Sequence, residues 1–414
     1  TPGVLYAEPV RRVWALQVDD PDAYVMEDNP EQYLILDPDD QYSQFPRMWP
    51  LIDTKAFEGW SIFPNTVYTA ATKPANTPVI AVIDSGVDFS HPDFVGKGGA
   101  SSNTVHGGQL DWAKSAAFRF GDVDPAGTAD DPNGHGTHVA GIALAARGNG
   151  NLDGRGIIGV AYSAQGMILR VFDDSGQGTD ADVAAAIYYA VDNGADVINM
   201  SLGGSDFSYI MQEACTYAFQ KGVVVVAATA ESGTNPSGVP SFYPSGNSGV
   251  MGVTAANFEY LQATSYAGTG PAIDITAPGG DLANDVYGNY LLVFVYSTMP
   301  TYQAALNELF YIPTITQNYS SIIGTSMACP HVAGAMALYL QKNNLWNQGG
   351  WGNIQAMQAA ERSAHHDSPL ASGTWDPVFG FGHLQIDGML TDSLNRNAVA
   401  GAIEGVVWFG TSAN

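Results

Sequence analysis

The chain has 414 residues, with 15 Lys and Arg against 41 Asp and Glu, so its formal charge at neutral pH is −26. A chain this acidic lacks the basic face that phosphate contacts demand, which excludes nucleic-acid binding, and it gains nothing from an anionic membrane surface. Hydrophobic residues make up 45% and charged residues 14%, a balance that supports a large buried core and argues against global disorder.

No run of about 18 apolar residues occurs, so no membrane-spanning helix is predicted. The longest apolar stretches, Val223 to Ala228 and Leu291 to Tyr296, are strand-sized. The chain opens on TPGVLYAEP, without the basic and apolar regions of a signal peptide, and is read as already trimmed. Two cysteines, Cys215 and Cys329, permit at most one disulfide, so the fold does not rest on a disulfide framework. Abundant Gly, Ser, Asn and Tyr with scarce Lys fits a secreted protein.

Residues 1–50 are rich in Pro and Asp, with short strand-like patches and no helical period. TPVIAVID (77–84) is an apolar run ending in Asp84 and predicts a buried parallel strand. HGTHVAGIALAA (135–146) carries small and apolar residues at helical spacing and is followed by the Gly-rich loop RGNGNLDGRG. MILRVF (167–172) predicts the next strand. Thr179 is placed to cap a helix with Asp182 as its capping-box partner, Val183, Ile187 and Val191 repeat along it, and Gly194 stops it. DVINMS (196–201) is a strand, residues 208–221 a helix ended by Gly222, and VVVVAA (223–228) a strand. Such alternation predicts an α/β fold: a doubly wound, mainly parallel central sheet with helices on both faces. Residues 281–320 are aromatic and irregular and read as an inserted loop or hairpin. TSMACPHVAGAMALYLQK (325–342) predicts a helix that starts just after Gly324.

In such a sheet, ligands collect at the carboxyl ends of strands and at helix N-termini. Asp84 ends a strand, His135 opens a helix after Asn-Gly, and Ser326 opens another after Gly-Thr. A serine hydroxyl is a weak nucleophile until a base takes its proton, and histidine does so near neutral pH. A buried carboxylate holds the imidazole in one tautomer and stabilises the imidazolium that forms. Three such residues at element ends suggest a nucleophilic triad, with the helix N-terminal amides favouring the negative charge that develops. His135 and His138 are three residues apart without a zincin-type glutamate, so a zinc pair is set aside; His138 and His331 read as packing residues, and Cys329 as a buried free thiol.

VIAVIDSGVDFSHPDF, NGHGTHVAGI, INMSLGG and GTSMACPHVAGA together resemble the signature segments of the subtilisin-like serine proteases, or subtilases. The order Asp, His, Ser is that family's order and differs from two other triad layouts; the likeness covers roughly residues 39–390. It implies an endopeptidase working through an acyl-enzyme, bound structural calcium, and synthesis as a secreted, monomeric zymogen. In those roles Asp84 orients, His135 is the base and Ser326 the nucleophile. Polypeptide substrates would lie extended between Ser201, Leu202 and Gly203 on one wall and the stretch from Gly176 to Gly178 on the other, as strand addition requires. Two other classes stay open: a peptide-binding protein on the same fold, and a peptide ligase or transpeptidase using the same triad.

One departure stands out. Where the resemblance implies an oxyanion-binding Asn, VVVVAATAESG (223–233) presents Glu231. An ionised carboxylate only accepts hydrogen bonds and would repel the oxyanion, whereas a protonated carboxyl donates. Losing such a donor costs about 10²–10³ in rate, a magnitude measured on a subtilisin. Three readings follow: Glu231 is protonated and activity peaks at acid to neutral pH; Asn235 or a backbone amide supplies the donor; or the enzyme is slow or inactive.

The resemblance further implies calcium at Asp93, Asp153 and Asp40, with Asn149 or Asn151 as substitutes, and a second, weaker site at Asp122 and Asp124, where Arg119 is a poor neighbour. VLYAEP (4–9) resembles the last strand of an inhibitory prodomain, the chain's own chaperone and inhibitor. The expected organisation is a prodomain tail over 1–14, a linker over 15–38, a catalytic domain over 39–390 and an extension over 391–414. Tyr243-Pro244 matches a site with a cis peptide.

Overall fold

A computed structural model describes residues 12–15, 45–63, 77–94, 109–119, 122–124, 129–147, 156–229, 242–257, 266–284, 290–306, 318–345, 351–366 and 374–392. Its centre is a sheet of eight strands in the order β11-β10-β9-β7-β2-β5-β3-β4. These are β2 (Val79–Asp84), β3 (Ala116–Arg119), β4 (Asp122–Asp124), β5 (Gln165–Arg170), β7 (Val197–Met200), β9 (Val224–Ala228), β10 (Val250–Ala256) and β11 (Ile275–Pro278). Every neighbouring pair is parallel except β3 with β4. Three of the predicted strands (77–84, 196–201 and 223–228) shorten by one or two residues at their ends, and the one expected over 167–172 lies two residues earlier, over Gln165–Arg170, where it pairs with β2.

Side-chain alternation along each strand divides the core in two. Ile80, Val82, Ile168, Val224 and Val226 join one apolar cluster, with residues of α3 (His135–Leu144) and α6 (Thr325–Asn343). Val79, Ala81, Ile83, Met167 and Val225 join the other, with residues of α4 (Asp180–Asp192) and α5 (Tyr209–Gln220). Strands with both faces buried read as unbroken apolar runs, which is how they appear in the sequence. Helices α1 (Phe45–Asp53), α2 (Ala56–Ile62), α7 (Gly352–Ser363) and α8 (Ile386–Thr391) add residues to the first cluster. None of the described helices is long and apolar enough to cross a membrane.

Local signals act as their chemistry requires. Thr179 caps α4, accepting from the Asp182 amide at 3.2 Å, but the Asp182 carboxylate takes the Thr179 hydroxyl at 2.6 Å, not a backbone amide. Gly194 and Gly222 end α4 and α5 at φ 84° and 83°. The aromatic segment 281–320 contains two antiparallel pairs, β12 (Asp281–Asn284) with β13 (Tyr290–Val293), and β14 (Val295–Thr298) with β15 (Tyr319–Ile322). The Tyr243–Pro244 peptide is cis, and both cysteines are free and buried.

A fourth sheet has the order β6-β1-β8 and contains β1 (Arg12–Ala15) between β6 (Gln177–Thr179) and β8 (Leu202–Gly203). Residues 4–9, expected as the prodomain strand, lie outside the described residues; the strand observed is Arg12–Ala15. It crosses the expected tail boundary at residue 14 because Ala15 pairs with Leu202.

Two half-buried carboxylic acids give the fold a pH dependence. Burial pushes Asp274 up to about 7, against a 2.7 Å hydrogen bond from the Gly252 amide that favours its charge. Burial pushes Glu361, on α7, up to about 8, with Asp274 adding repulsion and Arg362 opposing it. Both folded-state values exceed the unfolded ones, so the folded chain binds more protons, and these groups stabilise it at low pH and lose that contribution as pH rises from about 4 to 8. Burial lowers His138 and His331 to about 3 and 4, so those two act oppositely, destabilising the fold below about pH 6.5. Comparing a variant with its parent isolates the acids. Asp274→Asn is expected to raise the Tm by roughly 1–3 °C at pH 8.5 and by nothing measurable at pH 5; an equal shift at both pH values in calorimetry would refute the assignment.

Candidate active site

Asp84 is the last residue of β2, and the chain turns sharply behind it. Gly86 has φ 115°, and a Cβ there would lie 2.6 Å from the carbonyl oxygens of Ala129 and Asp130. Gly136 plays the matching part on α3, since a Cβ on it would meet the Gly86 oxygen at 2.2 Å. These two glycines let the helix start settle directly on the strand end. As a result, His135 Nδ1 donates to Asp84 Oδ1 at 2.7 Å, and the Ser85 amide donates to the same oxygen at 2.7 Å. With Nδ1 carrying the proton, Nε2 is left as the basic nitrogen.

Ser326 is the second residue of α6, after Gly324 at φ 153°. Pro330 sits inside this helix and has no N–H, so the Ser326 carbonyl is denied its helical partner four residues on. Ser201, just before β8, fills that role: its hydroxyl donates to the Ser326 carbonyl at 2.9 Å, while the Ser326 hydroxyl donates to the Ser201 carbonyl at 3.1 Å. Asp84, His135 and Ser326 are all fully buried. His138 donates through Nε2 to the Ser320 carbonyl at 3.3 Å, and His331 bonds the Met327 carbonyl within its helix at 2.8 Å. Burial raises the Cys329 thiol far above its ordinary range, so it stays neutral, as a packing role requires.

The two walls expected to hold substrate are the strands β6 and β8, and β1 already lies between them, antiparallel to both. Arg12, Val13 and Trp14 pair with Thr179, Gly178 and Gln177; Trp14 and Ala15 pair with Gly203 and Leu202. The register runs toward Ser201, the residue bonded to Ser326. Gly178 lies in the paired wall, and a Cβ on it would meet the Val171 oxygen at 2.5 Å. Gly176 stands outside the pairing, in the turn before β6 with φ 72°. Val13 is 3% exposed and joins the apolar cluster that contains Phe172, Val183, Leu202 and Met211.

Other expected site residues fall differently. Glu231 lies outside the described residues, two positions past Thr229, whose carbonyl accepts the Thr325 hydroxyl at the start of α6 (2.9 Å). Asp93 is buried in a short turn (Pro92–Phe94); its Oδ2 accepts from the Ile157 amide at 3.0 Å, and its carbonyl accepts from Ala146 at 2.6 Å. It therefore touches both flanks of the loop carrying Asp153. Asp153 and Asp40 are outside the described residues, and Asp122 and Asp124 are described only as members of β4. Among the described residues no three acidic, His or Cys side chains cluster to hold a metal.

The sequence reading missed two features: Asp131, which accepts hydrogen bonds around the start of α3, and the segment after β14 that packs on it. An Asp two residues before the Asn of NGHG was the available signal for the first.

Comparison with known proteins gives the family of the chain. The model of the subtilase family matches residues 75–382. A thermophilic serine proteinase of Bacillus sp. (strain AK1) is 34% identical over 344 residues, covering 82% of this chain and 69% of that protein. Thermitase of Thermoactinomyces vulgaris is 37% identical over 259 residues, covering 63% of this chain and 73% of that protein. The crystal structure of a lanthipeptide protease superposes with a TM-score of 0.63 at 23% identity, over 83% of this chain and 94% of that one, a likeness of fold. The chain belongs to the subtilase family and is a serine endopeptidase acting on peptides.

Proposed function

We propose that Ser326, His135 and Asp84 are the catalytic residues of a secreted, monomeric peptidase made as a zymogen, and that β1 is its inhibitory segment held in the substrate cleft. The observation that carries this reading is the strand Arg12–Ala15 paired with both walls and running toward Ser201. A substrate strand in that place would present a carbonyl to Ser326. The Ser326 hydroxyl attacks the carbonyl carbon as its proton passes to His135 Nε2, with Asp84 stabilising the imidazolium across the 2.7 Å bond. Negative charge on the carbonyl oxygen meets the N-terminal amides of α6. His135 then protonates the leaving amine, and water repeats the steps on the acyl-enzyme. The test is labelling by a fluorophosphonate, expected on Ser326 by mass spectrometry; a protein that cleaves peptides with Ser326 unmodified would refute the triad. Adding an amine nucleophile and analysing products separates hydrolysis from ligation.

Because β1 pairs as far as Ala15, one residue past the expected boundary, processing is expected on the C-terminal side of Ala15. The organisation proposed is the expected prodomain tail over 1–14, extended by β1 to Ala15, a linker reaching residue 38, the catalytic domain over 39–390 and an extension over 391–414.

For Glu231 we adopt the protonated carboxyl as oxyanion donor. Activity is expected to be greatest at acid to neutral pH and to fall as Glu231 ionises; Glu231→Asn should extend it into alkaline pH. A parent pH–rate profile rising steadily through alkaline pH would reject the idea.

Asp93 fits a structural calcium site: a buried carboxylate at both flanks of a loop rich in Gly, Asn and Asp suits a hard cation with oxygen ligands. Asp153 and Asp40 would complete it, and Asp122 and Asp124 a weaker site. Bound calcium would tie the loop to the turn at Pro92–Phe94. Chelation is expected to lower the Tm by about 10 °C, and Asp93→Ala to remove that dependence; a Tm indifferent to chelator would refute the site.

A further inference from the structure

We propose that Asp131 is a positioning residue for the reaction, setting the start of α3 against the end of β2 so that His135 meets Asp84. The inference rests on the triad reading above. Asp131 is fully buried and lies four residues before His135. Its Oδ1 accepts from the Ser85 hydroxyl at 2.8 Å and from the amides of Asn133 and Gly134 at 3.1 and 2.7 Å. Its Oδ2 accepts from the Thr137 amide at 2.8 Å and the Thr137 hydroxyl at 2.7 Å. Both oxygens are thus engaged by donors from two elements: the residue after Asp84, and the turn on either side of His135.

The link is reinforced at each end. The Ser85 hydroxyl also accepts from the Gly136 amide at 2.8 Å, and the Thr137 hydroxyl accepts from the Asp88 amide at 3.0 Å. The strand end and helix start are therefore laced together immediately around the Asp84–His135 bond. A carboxylate suits this post because every group facing it is a donor, and because it sits at a helix N-terminus. An amide in its place would aim N–H groups at other N–H groups.

The segment that follows β14 holds the same turn from outside. The Tyr302 hydroxyl accepts from the Asp131 amide at 2.9 Å, and the amides of Ala305 and Leu306 donate to the carbonyls of Pro132 and Asn133 at 3.0 and 2.8 Å. Thr298 and Ser297 donate to the carbonyls of Thr137 and His138, each at 2.7 Å. Thr301 clamps Asp88 through its amide at 2.8 Å and its hydroxyl at 2.6 Å. Asp131 is thereby fixed on one side by backbone and on the other by the helix it orients.

The experiment uses the full-length protein, with active sites titrated by a fluorophosphonate so that kcat refers to intact sites only. Asp131→Asn is expected to lower kcat by about 10–100-fold with KM within about twofold, the size of effect that a misplaced base produces. Ser85→Ala, which removes only the bridge to Asp131 and to Gly136, is expected to lower kcat by about 3–10-fold and serves if Asp131→Asn does not fold. In both, the far-downfield NMR proton of the Asp84–His135 bond should shift or broaden, which a loss of global stability alone would not cause. Unchanged kcat per titrated site and an unmoved proton signal in Ser85→Ala, or in Asp131→Asn where it folds, overturn the positioning role and leave the triad standing. A parent protein that cleaves peptides without labelling at Ser326 overturns the triad reading and this inference with it.

Discussion

Replacing Ser326 with Ala is expected to lower kcat/KM for peptide cleavage by about 10⁶-fold while leaving the fold intact. The fold should survive because the hydroxyl's recorded partner is the Ser201 carbonyl, a bond worth about 1 kcal/mol net, and because Ala favours a helix first turn at least as well as Ser. Chemistry should not survive, since the neighbouring hydroxyls of Thr325 and Ser201 are turned to the Thr229 and Ser326 carbonyls. The thiol of Cys329, three residues on, is buried and bonded toward the Met200 carbonyl at 3.8 Å. Its proton is held firmly by burial, so it offers no substitute nucleophile. Asp84→Asn should cost less, about 10⁴-fold. The amide would turn an N–H toward His135 Nδ1, reverse the tautomer and leave Nε2 protonated when a base is needed. The ordering of the two losses is itself informative. Steady-state hydrolysis by the two variants, with circular dichroism to establish folding, checks it; a Ser326→Ala protein retaining more than a trace of activity would sink the assignment.

The parts of this site that the sequence made legible are those where one element supplies both structure and chemistry. Asp84 closes an apolar run, and His135 and Ser326 each open a helix behind glycine. In a parallel sheet, such positions meet at one edge whatever the loops do. The expected walls were marked by resemblance alone; in the folded chain Gly178 and Gly203 sit where backbone lies against backbone or rings. What escaped is held by partners remote in the chain. RVWA has no periodicity of its own to mark it as a strand, and its register is set by residues some 165 to 190 positions away. Asp131 stood in a run of acidic residues that reads as a solvated or cation-binding loop. Only the folded chain shows its carboxylate turned inward onto five donors. The segment after β14 was legible as an insertion, yet nothing in its composition says that it packs on the histidine helix. The amides of Ala305 and Leu306 and the hydroxyls of Ser297, Thr298 and Tyr302 share that work, each bonded to backbone far away in the chain.

Val13→Asp should turn a slow-starting protein into one that cleaves peptides at once. Among the described contacts, β1 is held in the cleft by backbone pairing with β6 and β8, which any sequence can make, and by the side chain of Val13 at 3% exposure in the apolar cluster. Burying that side chain is worth roughly 1.5–3 kcal/mol. An aspartate loses this and must also leave an unpaired carboxylate among Phe172, Leu202 and Met211, or withdraw the strand. Since each 1.4 kcal/mol is tenfold, occupancy of the cleft should weaken by about 100-fold or more. The parent is expected to show a lag in the hydrolysis of a fluorogenic peptide, shortening as the segment that carries β1 is cut away and a new N-terminus appears beyond Ala15. Val13→Asp should show little or no lag. A synthetic peptide RVWAL should compete with substrate for the processed enzyme, and RDWAL should compete about 100-fold more weakly. If Val13→Asp starts as slowly as the parent, and neither peptide competes, β1 is a strand of the fold and not an occupant of the substrate's place.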